Sequence, residues 1–509
     1  MSKLFQKVLV ANRGEIAIRI IRALHELAIE AVAVYSEADR TSAHITLADE
    51  AYLIGGAPSR ESYLNIPSII SVAKKARVDA IHPGYGFLSE NDEFAHACEK
   101  AGITFIGPPA EVMRIMGDKV ASREMMRKAK VPVVPGSTQP VYSFPEAQKI
   151  AQKIGYPIVV KASAGGGGKG MRVVRSEGEL EKRIEAAKRE AKSAFGDETI
   201  YLEKYLENPH HIEIQIAADK KRKVIHLFER ECSIQRRHQK VLEETPSPFI
   251  TEKLRKKMCK VAIRAAKAVK YVNVGTFEFL VDEKKKFYFL EMNTRLQVEH
   301  PITEMVTGID IVKLQIKLAA GLSMPYKQKH ITQRGHAIEC RIYAEDPFNN
   351  FLPCPGRITT YRPPHGPFVR MDSYIYQGYE VPLHYDPLIG KLCVYGATRA
   401  EAVQRLSRVL QEVVIKGIRT TLIFHRQLVR MQHFIQGRYD TTFIDKEFRI
   451  LKTKPVQPIR DIVLAIAAVD AFKTRKKSIS FIEKEFHISP WKRQGRAEAL
   501  RKSNWGKSR

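Results

Sequence analysis

The chain has 509 residues, a net charge of +28, 44% hydrophobic residues and 28% charged ones. That length is too great for one hydrophobic core, so about three domains are expected. Gly and Pro are not enriched, no apolar run is long enough to span a bilayer, and six scattered cysteines without CxxC spacing fit neither a disulfide framework nor a zinc site.

Excess positive charge admits nucleic acid, acidic metabolites or an alkaline-shifted proteome. No helix-turn-helix, zinc-finger or RRM signature is present, and no strand carries closely spaced aromatics for base stacking. Nucleotide phosphate is therefore the expected anion, with no nucleic acid and no membrane as partner. The opening MSKLFQKVLVANRG lacks a signal-peptide pattern, and a cytoplasmic location is expected.

In chain order, KVLVANRGE (7–15) reads as a buried strand and turn, EIAIRIIRALHELA as an amphipathic helix, and AVAVYSEAD as a strand. YLNIPSIISVAKKAR reads as a helix, AIHPGYG as a strand and glycine loop, and ITFIGP as a strand. This alternation predicts an α/β, doubly wound, Rossmann-like domain over 1–115. ANRGEIA supplies one glycine where a dinucleotide site wants GxGxxG, so NAD is not expected.

Residues 116–330 carry hairpins. MGDKVASREMMRKAK predicts one helix; YPIVVKAS, MRVVRS, IYLEKYL and HIEIQIAAD predict strands. KASAGGGGKGMRVV (161–174) is a glycine loop between strands, without the P-loop's GK[ST] or following helix. Lys161 and Lys169 favour a phosphate-covering flap; a flexible hairpin tip is the alternative. Further on, His211, Glu213 and Gln215 alternate with Ile212, Ile214 and Ile216. That polar face lies either in water or against a second polar strand, which FERECSIQRRHQKVLEETPS (228–247) supplies; a solvated charged face is the alternative for that run.

The most informative stretch is GTFEFLVDEKKKFYFLEMNTRLQVEHPITEMVTGID, residues 275–310. Closing its hairpin at Asp282 and Phe287 sets Glu278 directly opposite Glu291. Facing carboxylates repel across a strand pair, and in an apolar hairpin they call for a cation between them. A hard divalent ion with oxygen ligands does this. Two solvated glutamates are the alternative, which fits poorly beside Phe277, Phe279, Phe289 and Leu290. Asn293, Arg295, Gln297, Glu299 and His300 follow. Cations beside a paired-carboxylate metal site are what phosphoryl transfer requires.

From about 331, HAIECRIYAED opens a β-rich C-terminal domain (331–452) with the turn FLPCPGRI and the helix AEAVQRLSRVLQEVVI. Residues 453–509 form a basic tail holding roughly ten of the net positive charges. Its apolar segment DIVLAIAAVDAF reads as a docking element for a partner chain, or alternatively as a helix packed on the C-terminal domain.

The ordered series ANRGEIA, HPGYGFLSEN, MGDK, KASAGGGGKGM, EKYLENPHHIEIQ, ERECSIQRRHQKVLEE, EMNTRLQVEHPITE, GHAIECRIYAEDP and FLPCPGRI resembles biotin carboxylase, the ATP-grasp component of biotin-dependent carboxylases, over residues 1 to about 450. The resemblance implies an N-terminal pre-ATP-grasp domain, an ATP-grasp domain with a mobile lid at about 132–204, and a β-rich C-terminal domain. It implies that Lys119 and Lys161 hold ATP phosphates under Gly167 and Gly168 of the lid loop. Glu203, Lys204, Tyr205 and Leu206 would form the hinge for adenine and ribose, with His211 facing the ribose and Gln235 and His238 on the nucleotide. Glu278, Glu291 and Asn293 would ligate two Mg²⁺ or Mn²⁺ ions. Lys240, Arg295, the Val298 backbone and Arg341 would hold bicarbonate, with Glu299 as general base and Arg341 steadying the biotin enolate.

The implied activity is ATP- and bicarbonate-dependent carboxylation of biotin N1′ through carboxyphosphate. No AMKM-type tetrapeptide and no carboxyltransferase-length segment is present, so biotin is expected on a separate biotin carboxyl carrier protein, with carboxyltransferase subunits and a second copy of the chain as further partners. The expected role is the first half-reaction of acetyl-CoA carboxylase. The alternative is the same half-reaction in a two-subunit pyruvate carboxylase, which the tail favours, or in another acyl-CoA carboxylase. QRRHQK, TRLQVEH and Arg341 oppose a carbamoyl-phosphate or purine-pathway ligase. Intact Glu278, Glu291, Arg295, Glu299 and Lys240 oppose a silent scaffold. Lys169 stands where arginine is also common in the family, which keeps charge but not bidentate geometry.

Overall fold

The computed structural model describes residues 4–137, 139–162, 171–195 and 198–447, together with Gln494. Gly167, Gly168 and Lys169 lie outside the described residues, as does the 453–509 tail apart from Gln494.

The N-terminal strands Lys7–Val10, Glu30–Ser36, Glu50–Gly55, Ala80–His82 and Thr104–Phe105 form a five-stranded parallel sheet. Lys7–Val10 is central, between Glu30–Ser36 and Ala80–His82, and Val8, Leu9 and Val10 have no exposure. Continuous apolar sequence is what a strand covered on both faces requires. The helix Gly14–His25 turns Ile16, Ile20, Ile21 and Leu24 inward. Two details depart from expectation. The end of AVAVYSEAD is a short 3₁₀ turn at Glu37–Asp39. The helix expected from MGDKVASREMMRKAK is two, Ala110–Gly117 and Lys119–Lys128. Asp118 separates them because its carboxylate accepts the Val120 and Ala121 amides, capping the second helix.

The central element is an eight-stranded sheet, in order Phe287–Asn293, Asn273–Val281, His210–Ala218, Val224–Arg236, Gln239–Thr245, His336–Tyr343, Leu388–Gly396 and Val369–Ser373. Strands from beyond residue 331 therefore extend the sheet begun before it. His210–Ala218 is buried along its whole length, which rules out a wet polar face. Its isoleucines Ile212, Ile214 and Ile216 share a core with Phe277, Phe279 and Phe289 and with the Glu252–Ala268 helix. The pleat sends Glu213 and Gln215 to the other side.

Within the expected lid, Met171–Val174, Ile158–Ala162 and Ile200–Lys204 form a three-stranded sheet packed on the helices Phe144–Ile154 and Glu177–Phe195. Ala151, Ile158, Val160, Leu180, Ile184 and Leu202 give it a core of its own. Among the described residues, no helix is long and apolar enough to cross a membrane.

Phe289 is fully buried and meets the Phe279 ring edge-on at 6.4 Å. Phe289→Ala is expected to lower stability by about 3–5 kcal/mol, read from the urea midpoint by circular dichroism. A loss below about 1 kcal/mol would mean that this core collapses around the deletion.

Candidate active site

Two hairpins build the site. The first joins Val224–Arg236 to Gln239–Thr245 through Arg237 and His238, both at positive φ (51° and 65°). This tight turn sets Gln235 beside Lys240. The second carries the glutamate pair. It closes at Val281 and Phe287, one residue earlier than the expected Asp282–Phe287 pairing. Asp282 determines this: its amide bonds the Lys286 carbonyl and its carboxylate accepts the Lys286 amide. Unbroken pairing would then place Leu290 opposite Glu278. A β-bulge leaves Leu290 as an extra residue on the opposite strand, between Phe289 and Glu291, and Glu278 faces Glu291 after all.

Lys240 lies at the centre. Its ammonium bonds Glu213 Oε2 at 2.6 Å, Glu278 Oε1 at 2.8 Å and Glu299 Oε1 at 2.7 Å. Arg341 bonds Glu299 Oε2 at 3.0 Å and Glu243 Oε1 at 2.6 Å. Arg230 lies under Glu213, donating to it, to Gln215 Oε1 at 2.8 Å and to Thr303 Oγ1 at 2.9 Å. Burial disfavours the charge on Glu299, yet Lys240, Arg341 and Arg230 hold its carboxyl well below the usual range. Glu278 follows the same pattern: burial opposes its charge, and Lys240 and His211 override burial. Glu291 is pushed up, chiefly by the Glu278 carboxylate. Glu243 is pushed up to about 7 by burial, against the pull of Arg341.

The hard-cation expectation can be tested against the donors present. Glu278 and Glu291 face each other, and Asn293 pairs with Thr276 on the same hairpin. Three oxygen donors, two of them mutually repelling carboxylates, suit Mg²⁺ or Mn²⁺. Two other groups, His211–Glu213–Glu278 and Glu213–Cys232–Glu299, are also close enough to hold an ion, with ligand atoms within 4.8 Å. In both, Lys240 already bonds two of the carboxylates, so its ammonium occupies the cation position.

The remaining predicted residues fall around this centre. His211 Nε2 stands 2.8 Å from Glu278 Oε2, and its Nδ1 is 2.7 Å from Gln235 Nε2. His238 is exposed at the tip of the turn. Arg295 donates to Glu90 Oε2 at 2.9 Å and Asn293 Oδ1 at 3.0 Å. Arg295, Val298 and Arg341 line one cavity of about 320 Å³ with Tyr85 and Gly86 of the GYG loop. Lys119 begins its helix. Lys161 pairs with Glu203 at 2.7 Å, and Arg123 also donates to Glu203. Lys204 Nζ bonds the carbonyls of Gly155 and Tyr156 at 2.9 and 2.8 Å; the Tyr205 amide bonds Pro157 O at 3.1 Å, and Leu206 follows, half-buried.

The description "Biotin carboxylase, N-terminal domain" matches residues 4–113, "Carbamoyl-phosphate synthase L chain, ATP binding domain" residues 118–327, and "Biotin carboxylase C-terminal domain" residues 339–446. The chain belongs to the biotin carboxylase family. It is 51% identical over 460 residues to the chloroplastic biotin carboxylase of Arabidopsis thaliana, covering 90% of this chain and 86% of that one. It is 54% identical over 443 residues to a pyruvate carboxylase component from Methanothermobacter thermautotrophicus, covering 87% and 90%. Among solved structures, the biotin carboxylase domain dimer of Hydrogenobacter thermophilus 2-oxoglutarate carboxylase, in complex with MgADP, ADP and bicarbonate, superposes with a TM-score of 0.83 at 47% identity, covering 89% of this chain and all of that one.

Sequence reading missed the residues that hold the site from behind. Arg230 and Glu243 lay inside a charge run whose alternation is broken by irregular pairing at Ile234 and Gln235. Glu90, which anchors Arg295, lies in the HPGYGFLSEN motif but 205 residues from its partner, and the motif does not reveal that pairing.

Burial favours the neutral form of Glu203, but Lys161 and Arg123 bring its carboxyl down to about 2 from an ordinary 4.5. A depressed folded value means that the unfolded chain binds the proton first. The stability from this residue is therefore complete above about pH 4.5 and disappears as pH falls through about 2. Glu203→Gln is expected to flatten the acid-unfolding limb across that window in circular dichroism. An unchanged limb would mean that neither cation holds the carboxylate.

Proposed function

We propose that the chain carboxylates biotin at N1′ with ATP and bicarbonate, through carboxyphosphate. One observation carries this: Lys240 and Arg341 converge on Glu299 beside the facing Glu278 and Glu291. Bicarbonate is a weak nucleophile and CO₂ has to be generated where biotin waits. A base, anion-binding cations and a phosphate-side carboxylate pair must therefore share one pocket.

Glu299 is the general base. Paired with two cations it is poorly basic. When bicarbonate takes contacts from Lys240, Arg295, the Val298 backbone and Arg341, Glu299 loses part of that pairing and its basicity rises. Glu299 takes the bicarbonate proton, the bicarbonate oxygen attacks the γ-phosphorus, the bond to the β–γ bridging oxygen breaks with ADP as leaving group, and the resulting carboxyphosphate breaks to CO₂ and phosphate. Phosphate takes the N1′ proton, Arg341 holds the ureido oxygen as charge develops there, and N1′ attacks CO₂. Lys119, Lys161 and the loop with Gly167 and Gly168 orient the phosphates; Glu203, Lys204, Tyr205, Leu206, His211, Gln235 and His238 orient the nucleoside. Glu278, Glu291 and Asn293 would hold the divalent ions, which would offset phosphate charge.

The domains run over 1–115, 116–330 with the lid at about 132–204, and 331–452. Biotin arrives on a carrier chain, carboxyltransferase subunits complete the assembly, two copies of this chain pair, and the enzyme works in the cytoplasm. The dimeric 2-oxoglutarate carboxylase domain supports the pairing. The reading keeps the acetyl-CoA carboxylase half-reaction. Relatives named for plastid biotin carboxylase and for pyruvate carboxylase match at 51% and 54% identity, so the acceptor is a property of the partner chains. The 453–509 segment is proposed as their docking element.

Steady-state ATPase is expected to require bicarbonate and Mg²⁺ or Mn²⁺ and to rise with free biotin. Fast turnover without bicarbonate would overturn the reading. Glu299→Gln should lower biotin carboxylation by about 10²–10⁴-fold with nucleotide affinity kept. Arg341→Ala should lose carboxylation yet retain some bicarbonate-dependent ATPase, because its enolate role follows carboxyphosphate. Loss of nucleotide binding in Arg341→Ala would sink that assignment.

A further inference from the structure

Lys391 is a lysine with no exposure, in the Leu388–Gly396 strand. It faces Arg341 on one side of the ladder and Asp372 on the other. A buried ammonium is costly unless its protons are used, and replacing it together with its counter-charge by apolar residues is often at least as stable. Its partners show where the charge acts. Nζ donates to the Val298 carbonyl at 3.0 Å, pairs with Glu15 Oε1 at 3.0 Å, and lies 3.9 Å from Asp372 Oδ2. Glu15, in the first turn of the Gly14–His25 helix, also accepts the Tyr85 hydroxyl. Val298 immediately precedes Glu299, and Tyr85, Val298 and Arg341 line the same 320 Å³ cavity. One ammonium thus joins the N-terminal helix, the GYG loop, the TRLQVEH loop and the C-terminal strand at the wall of the pocket.

We infer that Lys391 is a positioning residue for this pocket: it fixes the 298–299 peptide through the Val298 carbonyl and, through Glu15, fixes Tyr85. The inference rests on the proposed function. It assigns to Lys391 the placement of the base and of the biotin-side wall, and no part in nucleotide binding.

The test compares wild type, Lys391→Met and Glu15→Gln/Lys391→Met, the last removing the buried charge together with its main counter-charge. Folding is read by circular dichroism, and KM is measured separately for bicarbonate, free biotin and ATP. KM for bicarbonate and for biotin should each rise about tenfold or more, because small misplacements of reacting groups are expensive. KM for ATP should stay within about twofold. Unchanged bicarbonate and biotin KM in a folded variant would overturn the inference. So would an equal rise in all three constants, or failure of the double variant to fold, since either marks Lys391 as purely structural. Wild-type ATPase without bicarbonate dependence would overturn the functional reading itself, and the inference with it.

Discussion

The site depends on one ammonium group. Lys240 lies 2.6–2.8 Å from carboxylates of three separate elements: Glu213 on His210–Ala218, Glu278 on Asn273–Val281, and Glu299 at the start of the His300–Thr307 helix. Glu213 and Glu299 have no exposure and Glu278 has 3%. Without a shared cation, three buried carboxylates at this spacing would repel one another or take up protons. Breaking a buried charge set by removing one partner costs about 3–5 kcal/mol, and here three carboxylates lose a contact at once, leaving Arg230 on Glu213, His211 on Glu278 and Arg341 on Glu299. Lys240 therefore holds the geometry on which the proposed substrate chemistry rests.

The sheet makes that convergence possible. Antiparallel pairing places Arg230 beside Glu213, and Glu213 beside Glu278. Alternation then gives each strand two jobs. Ile212, Ile214 and Ile216 join the core under the Glu252–Ala268 helix, while Glu213 and Gln215 meet Arg230 on the opposite face. Slipping the register by one residue would exchange those faces, so core packing and site assembly are specified by the same pairing. The bulge beside Glu278 is the local exception. The Asp282 turn fixes the hairpin end, the glutamate pair fixes the middle, and one extra residue reconciles the two.

This balance explains what was legible in the sequence. Period-two alternation and the apolar neighbours of Glu278 and Glu291 revealed the hairpin and the pair. They did not reveal its closing residue, because the Asp282 side chain competes for the turn in a way no spacing records. The parallel N-terminal sheet was legible from its alternation with amphipathic helices. The Glu50–Gly55 strand was not, since EAYLIG is half-exposed on the sheet edge and carries no clean alternation. The hairpin through Arg237 and His238 was hidden because its positive-φ positions hold an arginine and a histidine, not Asn-Gly. Lys391 and Glu90 were invisible for a simpler reason. Each matters through a partner 93 or more residues away, and local pattern carries no information about such contacts.

The cations proposed to hold substrate are not waiting unpaired. Lys240 is shared by three glutamates, Arg341 by Glu243 and Glu299, Arg295 by Glu90 and Asn293, and Lys161 by Glu203. Binding an anion here is an exchange of partners. Each new contact to bicarbonate or phosphate replaces one to a protein carboxylate, so net affinity is smaller than the new contacts alone would give. The exchange has two consequences for a chain carrying 28 excess positive charges. Protein carboxylates screen the pocket from adventitious anions, because any ligand must match the geometry of the partners it displaces. The exchange also ties chemistry to occupancy. As the proposed base, Glu299 would be weak while Lys240 and Arg341 hold it and would strengthen as those cations turn to substrate. On the proposed reading, the basicity needed for catalysis thus rises when bicarbonate is in place to use it.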